Sequence, residues 1–495
     1  MRRWLVAALS LTLDGCYQAQ ALDARSVLDE VRLSEAGPDA RTLRPEGHGD
    51  GGSGAASFRE PVASGGVATP GGGAAPGSAP AAPRGPARDD TATEDQAVAR
   101  ALAWNPELRT RRHDLGVAEG QITAATALAN PTVEIELLHL EAYGQEHSAA
   151  IQIGWEPPQP WVYSAKAATT RAQAAAVERE IAEVEWQTII SVRAAHASLQ
   201  AVAERQALVE RSLVTRRRIE DLTERRLRGG ASTAIDLSIA QLSVAEMERQ
   251  RETLAEQELD GARVLGELLG AGHPVHATGN GVPDEPATPP SLDDLTDAAL
   301  RSRPALRAEE NRFRQREEAL RLEHARRWPW FKLTSLPRYR FDPFDSHRAD
   351  YSVGVELTVP LLDQNAGAIR IAEATRDAER ERFRGQAGAV LRELAAGLDE
   401  LRQRRQTIQR YRALVLPSLD AHEALLGRAA EGGQIDLVAV LRAADGILQS
   451  RNEYVGVRLG YQQAWLRLDR AAGRHVTGAA AAPSARPPAT GNQER

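Results

Sequence analysis

The chain has 495 residues, 42% of them hydrophobic and 26% charged, with a formal net charge of −7. Its mean hydropathy of −0.41 and the lack of any run of about 20 apolar residues past the N-terminus exclude a bundle of transmembrane helices. Charges of both signs are interspersed without a basic stripe, which argues against a nucleic-acid binder, and the single cysteine, Cys16, excludes a disulfide framework or a thiolate metal cage.

Residues 1–21 read as an export signal. Arg2 and Arg3 open it, and Trp4 to Leu13 form an apolar stretch too short to span a bilayer. Two processing outcomes compete. Leu13-Asp14-Gly15-Cys16 has the form of a bacterial lipobox, which would lipidate Cys16, whereas Ala19-Gln20-Ala21 is an A-x-A cleavage site that would discard it. Asp14 is awkward in a lipobox and favours cleavage after Ala21. Either outcome takes the mature protein out of the cytoplasm. Residues 22–93 are expected to form a flexible N-terminal segment, because Gly37 to Asp90 is mostly Gly, Ala, Pro and Ser and has too little apolar surface to offset the entropy of ordering it.

The body is a tandem duplication. Ala101-Leu102, Pro106, Leu108 and Arg109 recur 198 residues later as Ala299-Leu300, Pro304, Leu306 and Arg307, and Pro131 recurs as Pro329. Beyond Pro157 the shift is 203: Pro157 maps to Pro360, Gly229-Gly230 to Gly432-Gly433, Ala240 to Ala443 and Gly270 to Gly473. The extra five residues fall between Pro329 and Pro360, as a loop insertion would. The repeats are read as 94–273 and 291–474, with a connector over 274–290 and a disordered tail over 475–495.

Each repeat opens with one short helix, expected at 94–129 and 291–327. A strand pair follows, at about 132–157 and 331–361. In the second repeat Tyr351, Val353, Val355, Leu357, Val359 and Leu361 alternate with Ser352, Gly354, Glu356 and Thr358, a period of two. Ala149, Ile151, Ile153 and Trp155 do the same in the first. Such strands suit a transmembrane β-barrel, although a soluble half-buried sheet fits the alternation equally. Long helical hairpins come next, at about 164–270 and 366–473. No proline interrupts 161–273 and no glycine 155–228, so 164–228 can run as one helix of about 100 Å at 1.5 Å per residue. Gly229-Gly230 turns the first hairpin and Gly432-Gly433 the second, where Pro417 predicts a kink. Helices this polar stand in water.

Two strands and a very long helical hairpin, duplicated behind an export signal, resemble the TolC-like outer-membrane efflux family over residues 94–474. The turns Leu227-Arg228-Gly229-Gly230-Ala231-Ser232, with Asp236 and Ala240, and Ala430-Glu431-Gly432-Gly433, with Ala443, stand where that family has its periplasmic tips. Asn105-Pro106-Glu107-Leu108 and Pro304-Ala305-Leu306 are similar to its repeat starts. The segment from Val359 to Ile369 resembles the heavy-metal, CzcC- or CusC-type, subgroup. The resemblance implies a mainly α fold with a small β part. Duplicated hairpins would form a periplasmic α-barrel, capped by a transmembrane β-barrel with four strands per protomer and twelve in a homotrimer. It implies a passive exit duct, without enzyme activity or cofactor, lodged in outer-membrane lipid. Its partners would be a periplasmic adaptor and an inner-membrane pump of RND type, with no nucleic acid.

By that resemblance Gly229, Gly230, Ala231, Ser232, Gly432 and Gly433 are the adaptor-contact tips, and Asp236, Asp436 and Arg442 are candidate gate or lumen residues. The family's arginine after the second turn is replaced by Ile435, and two of its gate acids by Ala439 and Arg442, so its closing link is expected to be absent. No P-loop, dinucleotide fingerprint, nucleophile elbow or H-E-x-x-H motif is present. His273 and His276, and likewise His139 and His147, read as solvated side chains before metal ligands. Arg216 to Arg218 read as a solvated helix face. A periplasmic adaptor, the main rival, would lack the duplicated strand pairs.

Overall fold

The computed structural model describes residues 22, 25–27, 29–30, 90–140, 146–279, 281–282, 289–335, 339–341, 354–432 and 437–476. The first repeat begins with β1 (Thr91–Ala92), α1 (Glu94–Trp104) and α2 (Pro106–Ala125). It continues through β2 (Thr132–Leu140), β3 (Glu146–Gly154), α3 (Pro160–Arg228) and α4 (Ala234–Leu268). The strand β4 (His276–Ala277) lies in the connector. The second repeat holds α5 (Leu292–Ser302), α6 (Pro304–Ala325), β5 (Trp330–Ser335), β6 (Tyr339–Phe341), β7 (Gly354–Thr358) and α7 (Ala366–Arg410). A π-helical turn, Tyr411–Val415, leads into α8 (Leu416–Gly432), and α9 (Leu437–Ala472) returns.

The single opening helix expected in each repeat is two helices. Pro106 and Pro304 force the breaks, because proline has no amide hydrogen to donate and holds the residue before it out of the α region. Asn105 and Arg303 accordingly take ψ of 125° and 113°. Asn105 also caps α2, its Oδ1 accepting from the Leu108 amide at 3.0 Å.

The breaks let helices meet end to end. Asn105 Nδ2 donates to the Leu268 carbonyl at 2.9 Å, so α4 runs into α2. Ser302 Oγ donates to the Ala472 carbonyl at 3.2 Å and Arg303 to that of Ala471 at 3.0 Å, so α9 runs into α6. Gly270 and Gly473 make both joints possible. Each has positive φ, 63° and 68°, and a Cβ there would strike the backbone of Trp104 or Arg303 respectively. This is the physical reason for the 203-residue recurrence of that glycine.

Four rods therefore stand side by side: α4 with α2, then α3, then α9 with α6, then α7 with α8. Cross-links along α3 descend in order: Tyr163 to Thr126, Arg112 to Glu185, Gln206 to Glu258 and Arg217 to Glu248. The second repeat mirrors them with Asn365 to Glu323, Gln386 to Glu309, Arg467 to Glu400 and Arg451 to Asp420. Where α7 meets α8, Pro417 cannot donate to the carbonyl four residues back. The structure absorbs this as the π turn immediately before it, one of the known causes of helix deviation.

The largest core sits where α5 crosses α7 and α9. Leu295, Phe383, Leu394, Leu398, Leu401 and Leu468 are all nearly inaccessible there. Val27 joins this core, and Arg25 and Glu30 flank it with ion pairs to Asp297 and Arg384 at 3.7 and 3.6 Å. The start of the segment read as flexible is thus packed, since Leu22 and Val27 supply the apolar surface that the Gly/Pro-rich stretch lacks. Its far end, β1, pairs in parallel with β4 in the connector. The connector is tied down further by buried Val275 and Val282.

Candidate functional site

At one end of the rods the strands form an antiparallel run. β2 pairs with β3 from Thr132↔Gly154 to Leu140↔Glu146. β3 pairs with β6, and β5 pairs with β7 from Trp330↔Thr358 to Ser335↔Gly354. Trp155 and Leu333 exchange both backbone hydrogen bonds, at 2.9 and 3.0 Å, and join the two groups. Within the strand pair expected over 331–361, the part before residue 342 holds two described strands, β5 and β6, which serve different neighbours. Among the described residues the orders are β2-β3-β6 and β5-β7, joined at Trp155 and Leu333, and β2, β6 and β7 each have an unpaired side.

The register sorts side chains by face. Phe331 stands opposite Leu357 and Leu333 opposite Val355, while Lys332 faces Glu356. Val133 pairs with Ile153 and Ile135 with Ile151, while Glu134 pairs with Gln152. The apolar members Val133, Ile135, Ile151, Val355 and Leu357 are exposed. Residues 351–353 of the expected strand lie outside the described residues, and His139 and His147 stand opposite each other in the register.

At the other end, α3 closes with a Schellman motif. The Ala231 amide donates to the Arg226 carbonyl at 2.8 Å and the Gly230 amide to that of Leu227 at 3.0 Å. Gly230 has φ of 73°, a conformation natural to glycine, and a Cβ there would meet no other atom within 4 Å. Gly229, Gly230 and Ala231 are exposed, and Ser232 is half-buried.

Asp236 takes a specific local role. Its Oδ2 accepts from the Thr233 amide at 2.8 Å, the Thr233 hydroxyl at 2.8 Å and the Ser232 hydroxyl at 3.0 Å. The Thr233 hydroxyl accepts in return from the Asp236 amide at 3.1 Å, completing a capping box at the start of α4. The Thr233 amide bond, with the two hydroxyl bonds behind it, holds this carboxyl below the usual carboxylate range. At the second tip Gly432 ends α8. Gly433, Ile435 and Asp436 lie outside the described residues, and Arg442 is exposed on the second turn of α9.

Between tips and strands the two hairpins are tied by a pair that sequence reading missed. Arg216, read as solvated, lies on the buried stripe of α3 with Leu213, Ile219 and Thr223. It is only 2% exposed and ion-pairs with Asp445 of α9, which is 59% exposed. Its spacing of three from both Leu213 and Ile219 was the available signal. Just below it Ile219 packs on Val440 and Leu441 across the hairpins. Higher up Arg458 of α9 bonds Glu204 of α3 at 2.8 Å and also donates to the Val282 carbonyl of the connector. Ile435, which stands at the arginine position of the resembled family's closing link, lies outside the described residues, and an inter-hairpin ion pair with different partners, Arg216 and Asp445, exists nearby.

The remaining histidines have individual roles. His276 Nδ1 meets Glu258 at 3.0 Å, and His273 meets the Ala271 carbonyl at 2.8 Å and Asp90 at 3.5 Å, so neither is simply solvated. Among the described residues no group of three or more His, Cys, Asp or Glu could hold a metal.

Comparison with known proteins adds three findings. Residues 295–474 match the model of the outer membrane efflux protein family. The chain is 23% identical over 394 residues to the cobalt-zinc-cadmium resistance protein CzcC of Cupriavidus metallidurans, covering 77% of this chain and 90% of that protein. Its fold is similar to that of a membrane protein from Pseudomonas aeruginosa, with a TM-score of 0.65 at 21% identity over 78% of this chain and 92% of that one. Crystal structures of CusC superpose with a TM-score of 0.64 at 17% identity, over 78% and 94%.

Proposed function

We propose that this chain, whose residues 295–474 match the outer membrane efflux protein family, is one protomer of a homotrimeric exit duct in the outer membrane, passively conducting substrate delivered by an inner-membrane pump. The observation that carries this reading is the union of an open-edged strand run, with an exposed apolar face, and a polar helix of 69 residues. Unpaired strand edges are not tolerated in lipid, so a lone protomer is incomplete. Three copies make twelve strands and close one barrel.

The helical edges support the same assembly. Val117, Ile235 and Leu242 are exposed on the α2/α4 edge, and Ile371, Leu414 and Leu425 on the α7/α8 edge. Joining one edge to the other in the next protomer buries these and closes a helical tube. No described helix is long and apolar enough to cross a membrane.

The tip Gly229–Ser232 and its counterpart at Gly432–Gly433 form the contact with a periplasmic adaptor, which links the duct to an RND-type pump. Asp436 and Arg442 face the lumen and set ion preference. Asp236 serves the same narrow end, with its carboxylate fixed by the capping box. The CzcC resemblance favours a metal-ion cargo over a drug. Three copies of Arg442 on a narrow axis would disfavour cations unless Asp436 offsets them. Bilayer recordings of wild type, Asp436→Ala and Arg442→Ala test this point: identical cation/anion permeability ratios would exclude both residues. The assembly itself is tested by outer-membrane fractionation with heat-modifiable migration, where a purely soluble periplasmic protein would refute the duct.

A further inference from the structure

Four of the eight tryptophans gather where the strands meet the helices: Trp155, Trp161, Trp328 and Trp330. Trp155 Nε1 donates to the Ala129 carbonyl at 3.0 Å and Trp330 Nε1 to that of Pro157 at 2.7 Å. The rings of Trp161 and Trp330 meet edge to face at 5.3 Å. These three lock the strand bases to the first turn of α3.

Trp328 does something else. It is half exposed on the rim of this cluster, and Leu361 and Leu362 are exposed on the neighbouring turn between β7 and α7. Leu362 has no cover at all, at 103% relative exposure. Beside them Arg326 pairs with Glu323 at 2.7 Å. Arg327, also exposed, donates to the neutral carboxamide of Gln364 at 3.3 Å, which holds Arg327 against the same turn.

Two uncovered leucines, an indole and a guanidinium bonded to a neutral amide make a poor surface for water. They suit the boundary of a bilayer. Indoles settle at headgroup level, leucine favours the acyl side, and a guanidinium matches the geometry of a phosphate. The ledge also continues directly from the exposed apolar strand positions Val355 and Leu357.

We infer that this ledge is a docking surface for a phospholipid of the periplasmic leaflet. Arg327 takes the headgroup phosphodiester, Trp328 lies at the carbonyl level, and Leu361 and Leu362 enter the acyl boundary. The ledge sets how deep each protomer sits. The inference rests on the outer-membrane reading above.

The test uses the full chain reconstituted in phosphatidylglycerol vesicles, with a nitroxide attached at Leu362→Cys. Val355→Cys and Gly116→Cys are measured in parallel, and the unsubstituted chain reports any signal from Cys16. Collision with oxygen against a nickel chelate reads lipid against water. The label at 362 should show an oxygen-to-nickel ratio several-fold above that at 116, an exposed position on α2. A water-like 362 with a lipid-like 355 would overturn the ledge and leave the duct standing; water-like values at both would sink the duct as well. Shielding of 362 from both agents would point to a protein neighbour and equally refute the inference. Arg327→Gln should reduce the phospholipid retained per protomer in native mass spectra relative to Arg314→Gln. Equal retention would remove Arg327 from the site.

Discussion

Arg216 of α3 and Asp445 of α9 tie the two hairpins of the chain together, so in the proposed duct this pair would oppose separation of the hairpins. Asp445→Asn takes from a guanidinium that is 2% exposed its directly paired carboxylate, leaving Glu246 as a weaker counter-charge. Solvated ion pairs contribute about 0.2–1 kcal/mol, whereas breaking a buried one costs about 3–5 kcal/mol. With Asp445 59% exposed, this pair belongs between those limits, at about 2 kcal/mol. At about 1.4 kcal/mol per factor of ten, that is a shift of roughly 30-fold in the closed-to-open ratio. Single-channel recording of wild type, Asp445→Asn, Arg216→Met and the double variant gives the coupling energy of the pair. The single variants should raise open probability, and the double should fall well short of their sum. Unchanged open probability in Asp445→Asn, or additive effects, would show that the pair only packs the hairpins.

Three further outcomes follow from the same geometry. Val355→Arg puts a charge on the apolar strand face and should impair membrane insertion, at a cost of about 2–4 kcal/mol if it lies at mid-bilayer; normal assembly in outer-membrane fractions would mean the face is assigned wrongly. Gly230→Asp meets open space but a strained φ of 73°, so the protein should fold and insert yet lose efflux, as drug or metal susceptibility reads; retained efflux would leave Gly230 as a turn only. Burial pushes the Glu309 carboxyl up, and its contact with Glu379 adds to that against the opposing Arg312. A raised carboxyl contributes stability that is complete below its unfolded value near 4.3 and is lost as pH rises through its folded value. Glu309→Gln should therefore raise thermal stability at pH 7.5 and flatten its decline with pH; an unaltered thermal profile would refute that reading.

Much of the fold was legible because its signals are long. A proline-free run and a duplicated glycine pair specify a hairpin without ambiguity, and alternation identified the strands of Gly354 to Thr358 and Ala149 to Ile153. What escaped was local or tertiary. The breaks at Asn105 and Arg303 depend on proline chemistry inside otherwise helical patterns. Val27 is packed because a core exists for it among Leu295 and Phe383, a fact held by residues far away in sequence. Arg216 looked solvated because charge outweighed its position, although its three-residue spacing placed it on a buried stripe. At Asp236 the sequence shows an acid near a tip, but only the geometry reveals its commitment to Thr233 and Ser232.

The central question is whether three copies of this chain close one channel in lipid. The direct measurement is the detergent-corrected mass of the protein extracted from outer membranes, together with its conductance after reconstitution. A mass of three chains that forms ion-conducting pores, and dissociates to single chains on heating, is the predicted result. A monomer recovered from the soluble periplasmic fraction, with no conductance in bilayers, would contradict it.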